Sequence, residues 1–408
     1  MRRVVLALVL LGTLTARAEA QEVAPTAAAP VDDPLSIYVL TFGPGDHPFF
    51  MFGHDALLVR DRAAGTDRVF NFGTFSFDSP RLIFDFLKGR LTYWLSVSSL
   101  SVTLASYEHE NRSIVAQQLA LAPEAKRALV ARLEENARPE NRAYKYDYFL
   151  DNCSTRVRDA VDRATDGALR ASASEPARLT LRQQALRMTS RSAWFSLALD
   201  VVLAGAADRP IDRWAEMYIP EELEAGLRAV AVGGRPLVAS EQTIFRASRP
   251  EPPHEPPSRF VSLLLVGLAL GVLFVALGWA APLSRAARAG FGLVVAAWGL
   301  VTGFIGSFLV YVWGFTDHVV AHRNENIFLC APWAFALAVL GLGVTFGSRR
   351  ATLAALRVSV SALLFALLGW GLKALPAFRH QDNAALIALL VPAWIGLSAG
   401  LLHARHSG

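Results

Sequence analysis

Residues 249–281 read RPEPPHEPPSRFVSLLLVGLALGVLFVALGWAA, a proline-rich segment that runs directly into an apolar one. Each proline fixes its φ and lacks an N–H, so residues 249–259 can continue neither a helix nor a strand and read as a stiff, extended linker. The stretch 260–281 that follows carries no charge, and about 20 such residues cross the roughly 30 Å of a bilayer's hydrocarbon. Four further apolar stretches, at 290–313, 327–346, 352–372 and 384–402, approach the same length. Five such segments with almost no polar face do not make a water-soluble bundle. Residues 260–402 are therefore expected to form an all-α bundle of about five transmembrane helices, with 403–408 as a short cytoplasmic tail.

The composition agrees. Of 408 residues, 53% are hydrophobic and 18% charged, with a mean hydropathy of +0.33, against about 25% charge in soluble domains. The net charge of +5 belongs to the apolar half. Residues 260–408 hold nine Lys/Arg and three Asp/Glu, leaving 31 basic against 32 acidic residues in 1–259. The excess therefore concerns membrane topology, and nucleic acid is excluded as a partner. Two cysteines, Cys153 and Cys330, exclude a disulfide scaffold and a cysteine-rich metal framework. Cys330, inside a membrane stretch, reads as packing.

At the other end, Arg2 and Arg3 precede an apolar run over 4–14 and the small-residue triplet Ala18-Glu19-Ala20. This is the pattern of a cleaved signal peptide, 1–20, and is too short to span. An Ala/Pro-rich leader, 21–34, follows. Export of the N-terminal domain sends the first span from outside to inside. Arg285, Arg288, Arg349, Arg350, Arg357 and Arg405 then fall inside and Arg323, Lys373 and Arg379 outside, as the positive-inside bias requires.

Between leader and linker, 35–248 reads as one mixed α/β domain. Strands are expected at 36–41, 56–60, 68–72, 91–97 and 113–121, with turns at Gly43-Pro44-Gly45 and Ala64-Gly65. Helices are expected over 80–86 and from Pro123 to about residue 136. The aromatic-rich stretch 70–94 reads as core, with some of it facing lipid.

Cys153 lies in YDYFLDNCSTR (146–156), and Val157, Ala160, Val161 and Ala164 then recur with helical spacing. Asp151 or Asn152 is a natural N-cap, which puts Cys153 in the first turn of a helix. Free N–H groups and the helix dipole favour a thiolate there. A nucleophilic cysteine needs a base. Of His47, His54, His109 and His254, the best placed is His54, at the start of the strand in FGHDALLVRD (52–61), with His109 its rival. Asn71, on the next strand, is expected to orient the imidazole. Asp55 competes for that role, although alternation along a strand points it away from His54.

Other chemistries find little support. No H-E-x-x-H, G-x-S-x-G or P-loop pattern occurs, and Asp46, His47, His54 and Asp55 match no zinc spacing. Asn111-Arg112-Ser113 is formally a glycosylation sequon and reads as a chance match. In the membrane half, the outer loop 315–326 holds Asp317, His318, Asn324 and Asn326. These are expected either to line a hairpin or to face the exported domain, headgroups or a substrate terminus. Residues 379–383 join them on the same side.

The pairing of FGHDALLVRD with YKYDYFLDNCSTRVRD (144–159), followed by DRPID (208–212), MYIP (217–220), TDH (316–318) and NEN (324–326), resembles the Lnb family of bacterial membrane proteins. The Asn-Cys pair opening a helix is also similar to lecithin:retinol-type acyltransferases. The Lnb resemblance implies an α+β fold: a permuted papain-like (NlpC/P60-like) exported domain in front of the bundle. It also implies a cysteine-dependent acyltransferase of the bacterial inner membrane, moving a fatty acyl chain to the α-amino group of lipoproteins. Cys153 matches the nucleophile and His54 the base. Asn71 is carried over by analogy. Asn152 is expected at the oxyanion, with Asp151, Arg156, Asp159 and Tyr148 in support. The acyl donor would be a membrane phospholipid or the diacylglyceryl lipoprotein, and the acceptor a lipoprotein N-terminus. No cofactor and no metal is implied. A cell-wall cysteine amidase or peptidase and a non-catalytic exported sensor are the competing readings.

Overall fold

The computed structural model describes residues 33–76 and 80–405. The expected signal peptide, most of the leader and the last three residues of the tail lie outside them.

The N-terminal domain is built on β1 (Leu35–Phe42), β2 (His54–Asp61), β3 (Thr66–Thr74), β4 (Thr92–Ser99), β5 (Ile114–Leu119) and β6 (Ala143–Lys145). A small ribbon, β7 (Ala231–Val232) and β8 (Arg235–Pro236), precedes β9 (Val238–Phe245). Seven of these strands form one antiparallel sheet in the order β6-β4-β3-β2-β1-β5-β9. The five expected strands all form. β9 was not legible: VASEQTIF is largely exposed and joins the sheet only because β5 offers an edge.

The helices are α1 (Leu82–Lys88), α2 (Leu100–His109), α3 (Pro123–Ala137), α4 (Cys153–Ala164), α5 (Ala168–Ser172), α6 (Leu181–Met188), α7 (Ala193–Val202), α8 (Arg213–Glu216) and α9 (Pro220–Ala229). Both faces of the central strands are covered, so their apolar runs are near-continuous. Leu57, Val59 and Phe70 pack with Leu129 of α3, Val157 and Val161 of α4 and Leu223 of α9. Ala56, Leu58 and Val69 pack on the opposite side with Leu104 and Tyr107 of α2.

The bundle comprises α10 (Phe260–Ala280), α11 (Arg285–Phe315), α12 (Asn326–Leu329), α13 (Ala336–Thr345), α14 (Arg349–Leu372) and α15 (Ala384–Ala404). It supplies five segments long and apolar enough to cross a membrane. Between α10 and α15, Gly267, Gly271 and Gly278 face Leu389, Pro392 and Gly400 backbone, the close small-residue packing that substitutes for a hydrophobic drive in lipid.

The third segment differs from expectation. Instead of one helix over 327–346, it breaks after α12, passes through a 3-10 turn at Pro332–Phe335 and resumes as α13. Pro332 has no N–H to continue the ladder and drives Ala331 into an extended conformation. Cys330 therefore sits at the break rather than within a helix. Its carbonyl lies against α11 at Gly306, where a Cβ would come within 1.8 Å of that oxygen.

The loops at one end of the bundle grip the N-terminal domain. Asp317 accepts from Lys145 Nζ at 2.7 Å and Arg90 Nε at 3.1 Å, and its N–H donates to the Lys88 carbonyl at 2.9 Å. Asn324 Nδ2 donates to the carbonyls of Val201 (2.9 Å) and Val202 (2.8 Å), and Asn326 Nδ2 to that of Val201 (2.9 Å). These side chains satisfy carbonyls that the C-terminus of α7 leaves open. Gln381, from the other outer loop, donates to Asn324 Oδ1 at 3.0 Å.

Candidate active site

The residues YFLDNC place Cys153 at the first position of α4. Asn152 is the N-cap, and its Oδ1 accepts from Thr155 N–H at 2.8 Å. Thr155 Oγ1 accepts in return from Asn152 N–H, also at 2.8 Å. This reciprocal box ties the helix start. Both hydrogens of the Asn152 amide are committed, to Tyr148 O at 3.0 Å and Tyr218 O at 2.9 Å. The oxyanion role expected of this side chain is therefore corrected: it fixes the turn that carries the thiol and has no donor left for a substrate.

His54 is the first residue of β2 and Cys153 the first of α4, and both line one cavity of about 770 Å³ at that end of the sheet. The Cys153 sulfur is approached by the backbone N–H groups of Ser154 and of Asp55, the residue after His54. Gly73, in the bulge where β3 shifts register against β4, adopts φ +83° and brings its Cα against Cys153. A Cβ there would lie 3.4 Å from Cys153 Cβ and 3.6 Å from the Tyr146 ring.

His54 lies beside the mutually stacked rings of Phe42 and Tyr107, which are 3.7 Å apart, with its own centroid 5.9 Å from the first and 6.0 Å from the second. Asn71 partly offsets the lowering of the His54 pKa, and its Nδ2 donates to Ser98 Oγ at 3.1 Å. Asn71 lines the same cavity as His54. Asp55 points to the other side of β2, as alternation requires, and is fully buried. His109 lies exposed at the end of α2, outside the cavity.

The electrostatics depart from the expectation of a ready thiolate. Burial, with a smaller contribution from the buried Asp55 carboxyl, pushes the Cys153 thiol up to about 11. The two backbone N–H groups and Arg112 only partly oppose this. His54 is pushed down to about 3, first by burial and then by the charge of Arg112, with Asn71 opposing. Its residual surface faces the cavity rather than bulk water. Desolvation outweighs the helix N-terminus, and at rest both the thiol and the imidazole are neutral. Asp55 rises to about 7 through burial. The Ser154 and Thr41 hydroxyls offset part of this, yet neither carboxyl oxygen has a well-formed hydrogen bond among the described residues.

Arg112 is a cavity residue that the sequence concealed, because it stood inside an apparent sequon. It is 2% exposed and lines the cavity. Its Nε donates to Gly43 O at 2.8 Å, its Nη1 to Glu110 at 3.2 Å, and the guanidinium lies 4.6 Å from the Tyr107 ring centroid. Nη2 has no hydrogen-bond partner among the described residues. The only sequence signal was a charged residue directly before an apolar strand.

The remaining expected residues divide. Tyr148 lines the cavity, in edge contact with Tyr146 and Phe86. Asp151 pairs bidentately with Arg156, which lies 3.9 Å over the Tyr144 ring and braces the start of α4. Asp159 pairs with Arg158, which stacks on Trp214 away from the cavity. In the outer loop, His318 lines the cavity and bonds the Phe86 carbonyl at 2.9 Å, whereas Asp317, Asn324 and Asn326 join the two parts of the molecule. The cavity wall is mostly apolar and is shared by the sheet, α1, α7 and α11, the last through Phe308 and Val312.

No curated protein and no solved structure matches the chain significantly. Residues 22–186 match the family described as the Lnb N-terminal periplasmic domain, and five helices further along the chain are long and apolar enough to cross a membrane.

Proposed function

We propose that this protein is an acyltransferase of the bacterial inner membrane. Cys153 carries a fatty acyl chain as a thioester and delivers it to the α-amino group of a lipoprotein's N-terminal cysteine. One observation carries the reading: Cys153 and His54 line the same mostly apolar cavity, and its wall continues into a membrane helix. A long acyl chain fits such a lining, whereas a wall glycopeptide requires polar contacts along its cleft. The base on a strand that precedes the nucleophile's helix also suits a permuted papain-like arrangement.

In the first half-reaction, the Cys153 sulfur attacks an ester carbonyl of a phospholipid or of the diacylglyceryl lipoprotein. The thiol proton passes to His54 as the S–C bond forms. The C–O bond then breaks, and His54 returns the proton to the departing glycerol oxygen. In the second, the α-amine attacks the thioester. A proton moves from nitrogen to His54 and on to the leaving sulfur, which restores the thiol. Backbone N–H groups at the start of α4 stabilise the oxyanion of both steps. The neutral imidazole accepts a proton only as the bond forms, which suits a site that is protonated at rest. Exclusion of water by the apolar wall favours transfer over hydrolysis.

The test is mass spectrometry of lipoprotein N-termini from cells carrying the wild type, Cys153→Ala or His54→Ala. N-acylated cysteine with the wild type alone, and an acyl group trapped on Cys153, is the expected result. Unchanged acylation across the three strains overturns the reading.

A further inference from the structure

We propose that α1 and the first turn of α7 are seated in the outer leaflet of the membrane, as the two lips of a doorway through which a lipid chain reaches Cys153 sideways. The doorway part rests on the acyl-transfer reading. The leaflet contact stands on geometry alone.

α1 reads LIFDFLK, and it turns Ile83 and Phe84 outward while Phe86 and Leu87 also border the cavity. Ile83 is 75% and Phe84 49% exposed, and Phe86 and Leu87 are exposed as well. Trp194, at the start of α7, is 84% exposed. In water, large apolar groups exposed on two helices that border one cavity cost free energy. Both helices are fastened to the membrane end of the molecule. The Lys88 carbonyl accepts from Asp317 N–H at 2.9 Å and the Phe86 carbonyl meets His318 Nε2 at 2.9 Å, just beyond the end of α11. On α7, Leu197 and Val201 pack against the core of the bundle itself. The exposed side chains therefore continue the apolar surface of membrane-spanning helices at headgroup depth. An aromatic belt is expected at that depth.

The charges fit the same placement. Lys88 Nζ lies 4.5 Å and the Arg81 guanidinium 5.9 Å from the Phe84 ring centroid. Two cations over an outward ring let the ring enter the acyl boundary while the charges remain with anionic headgroups. A protein partner would need a complementary surface. The bilayer is already present wherever the bundle is. The cavity wall includes Phe86 and Leu87 from α1, Phe195 and Leu199 from α7, and Phe308 from α11, so the gap between the lips leads from lipid to thiol without crossing water.

The test uses the full chain with both cysteines replaced by serine, in nanodiscs of phosphatidylethanolamine and phosphatidylglycerol. An environment-sensitive fluorophore is placed at Ile83→Cys, Trp194→Cys or, as control, Ala63→Cys in the β2–β3 turn at the opposite end of the sheet. Blue-shifted emission quenched several-fold by lipids brominated near the headgroup, at 83 and 194 but not at 63, is expected. Water-like, unquenched emission at either lip, or a shift that appears only when another protein is added, overturns the leaflet contact. No acyl transfer can occur in this chain, so the result is independent of the enzymatic reading.

For the doorway, a Cys330→Ser chain is treated with a bilayer-dissolved dodecyl maleimide or a charged water-soluble one, each rate normalised to its reaction with a free thiol. Cys153 is expected to react at least tenfold faster with the alkyl reagent, and the pair Ile83→Glu/Phe84→Glu to erase that preference. Equal or faster reaction with the charged reagent overturns the doorway.

Discussion

The Cys153 sulfur lies against the backbone N–H of Asp55, one residue beyond the His54 that shares its cavity. Strand β2 thus lines the cavity with its first side chain, the His54 imidazole, and turns the next peptide group toward the thiol. The carboxyl of that same residue is buried behind them and raises the thiol's proton affinity.

Asp55 governs stability against pH. Its folded pKa of about 7 stands above its unfolded value of 3.8, so the stability linked to its neutral form is complete below pH 3.8 and lost as pH rises through 7. Asp55→Asn removes this dependence. The variant is expected to match the wild type near pH 4 and to exceed it at pH 8 by on the order of 4 kcal/mol, read by denaturation in detergent. An unchanged difference between the two pH values contradicts the assignment.

Arg112 governs the acid side of the rate profile. Its charge helps hold His54 neutral and opposes the rise of Cys153. Arg112→Gln is expected to move the acid limb of Cys153 acylation upward in pH while slowing the reaction throughout. Arg112→Lys, which keeps the charge, restores the wild-type profile. A Gln variant with an unshifted limb assigns Arg112 to packing alone. His54→Gln removes the base and is expected to cost about 10²–10⁴-fold in the same assay.

Arg182 holds the region that carries α7. Its guanidinium is buried between Asp200 and Asp208, at 2.8 Å from each, and also donates to the Leu203 carbonyl at 2.7 Å. Burial pushes both carboxyl groups up and Arg182 opposes it. Arg182→Met leaves two buried acids unpaired and is expected to cost about 3–5 kcal/mol. Adding Asp200→Asn recovers part of the loss, measurable as a double-mutant cycle in thermal unfolding.

Among the glycines of the bundle, Gly306 of α11 leaves the least room, against the backbone at the Cys330 break. Gly306→Ala sets a methyl group against the Cys330 carbonyl, where backbone rather than a flexible side chain must move. The expected result is a cost of about 1–3 kcal/mol and a lower unfolding midpoint in detergent. Gly314→Ala on the same helix, which meets open space, is expected to be neutral.

The sequence by itself determined the division into a polar domain and five membrane segments, because length and hydropathy alone decide which segments fit a bilayer. It determined the start of α4, since an Asn-Cys-Ser-Thr run contains its own capping box, and the opposite facing of His54 and Asp55, since a strand alternates. Only the tertiary structure decided the rest. Whether the thiol is charged depends on desolvation against a helix dipole, and burial is a property of the packed cavity, not of the local run. The break at Cys330, the burial of Arg112 and the use of Asn324 and Asn326 as caps for α7 depend on partners distant along the chain. Pattern and spacing carry no record of such partners until the elements meet.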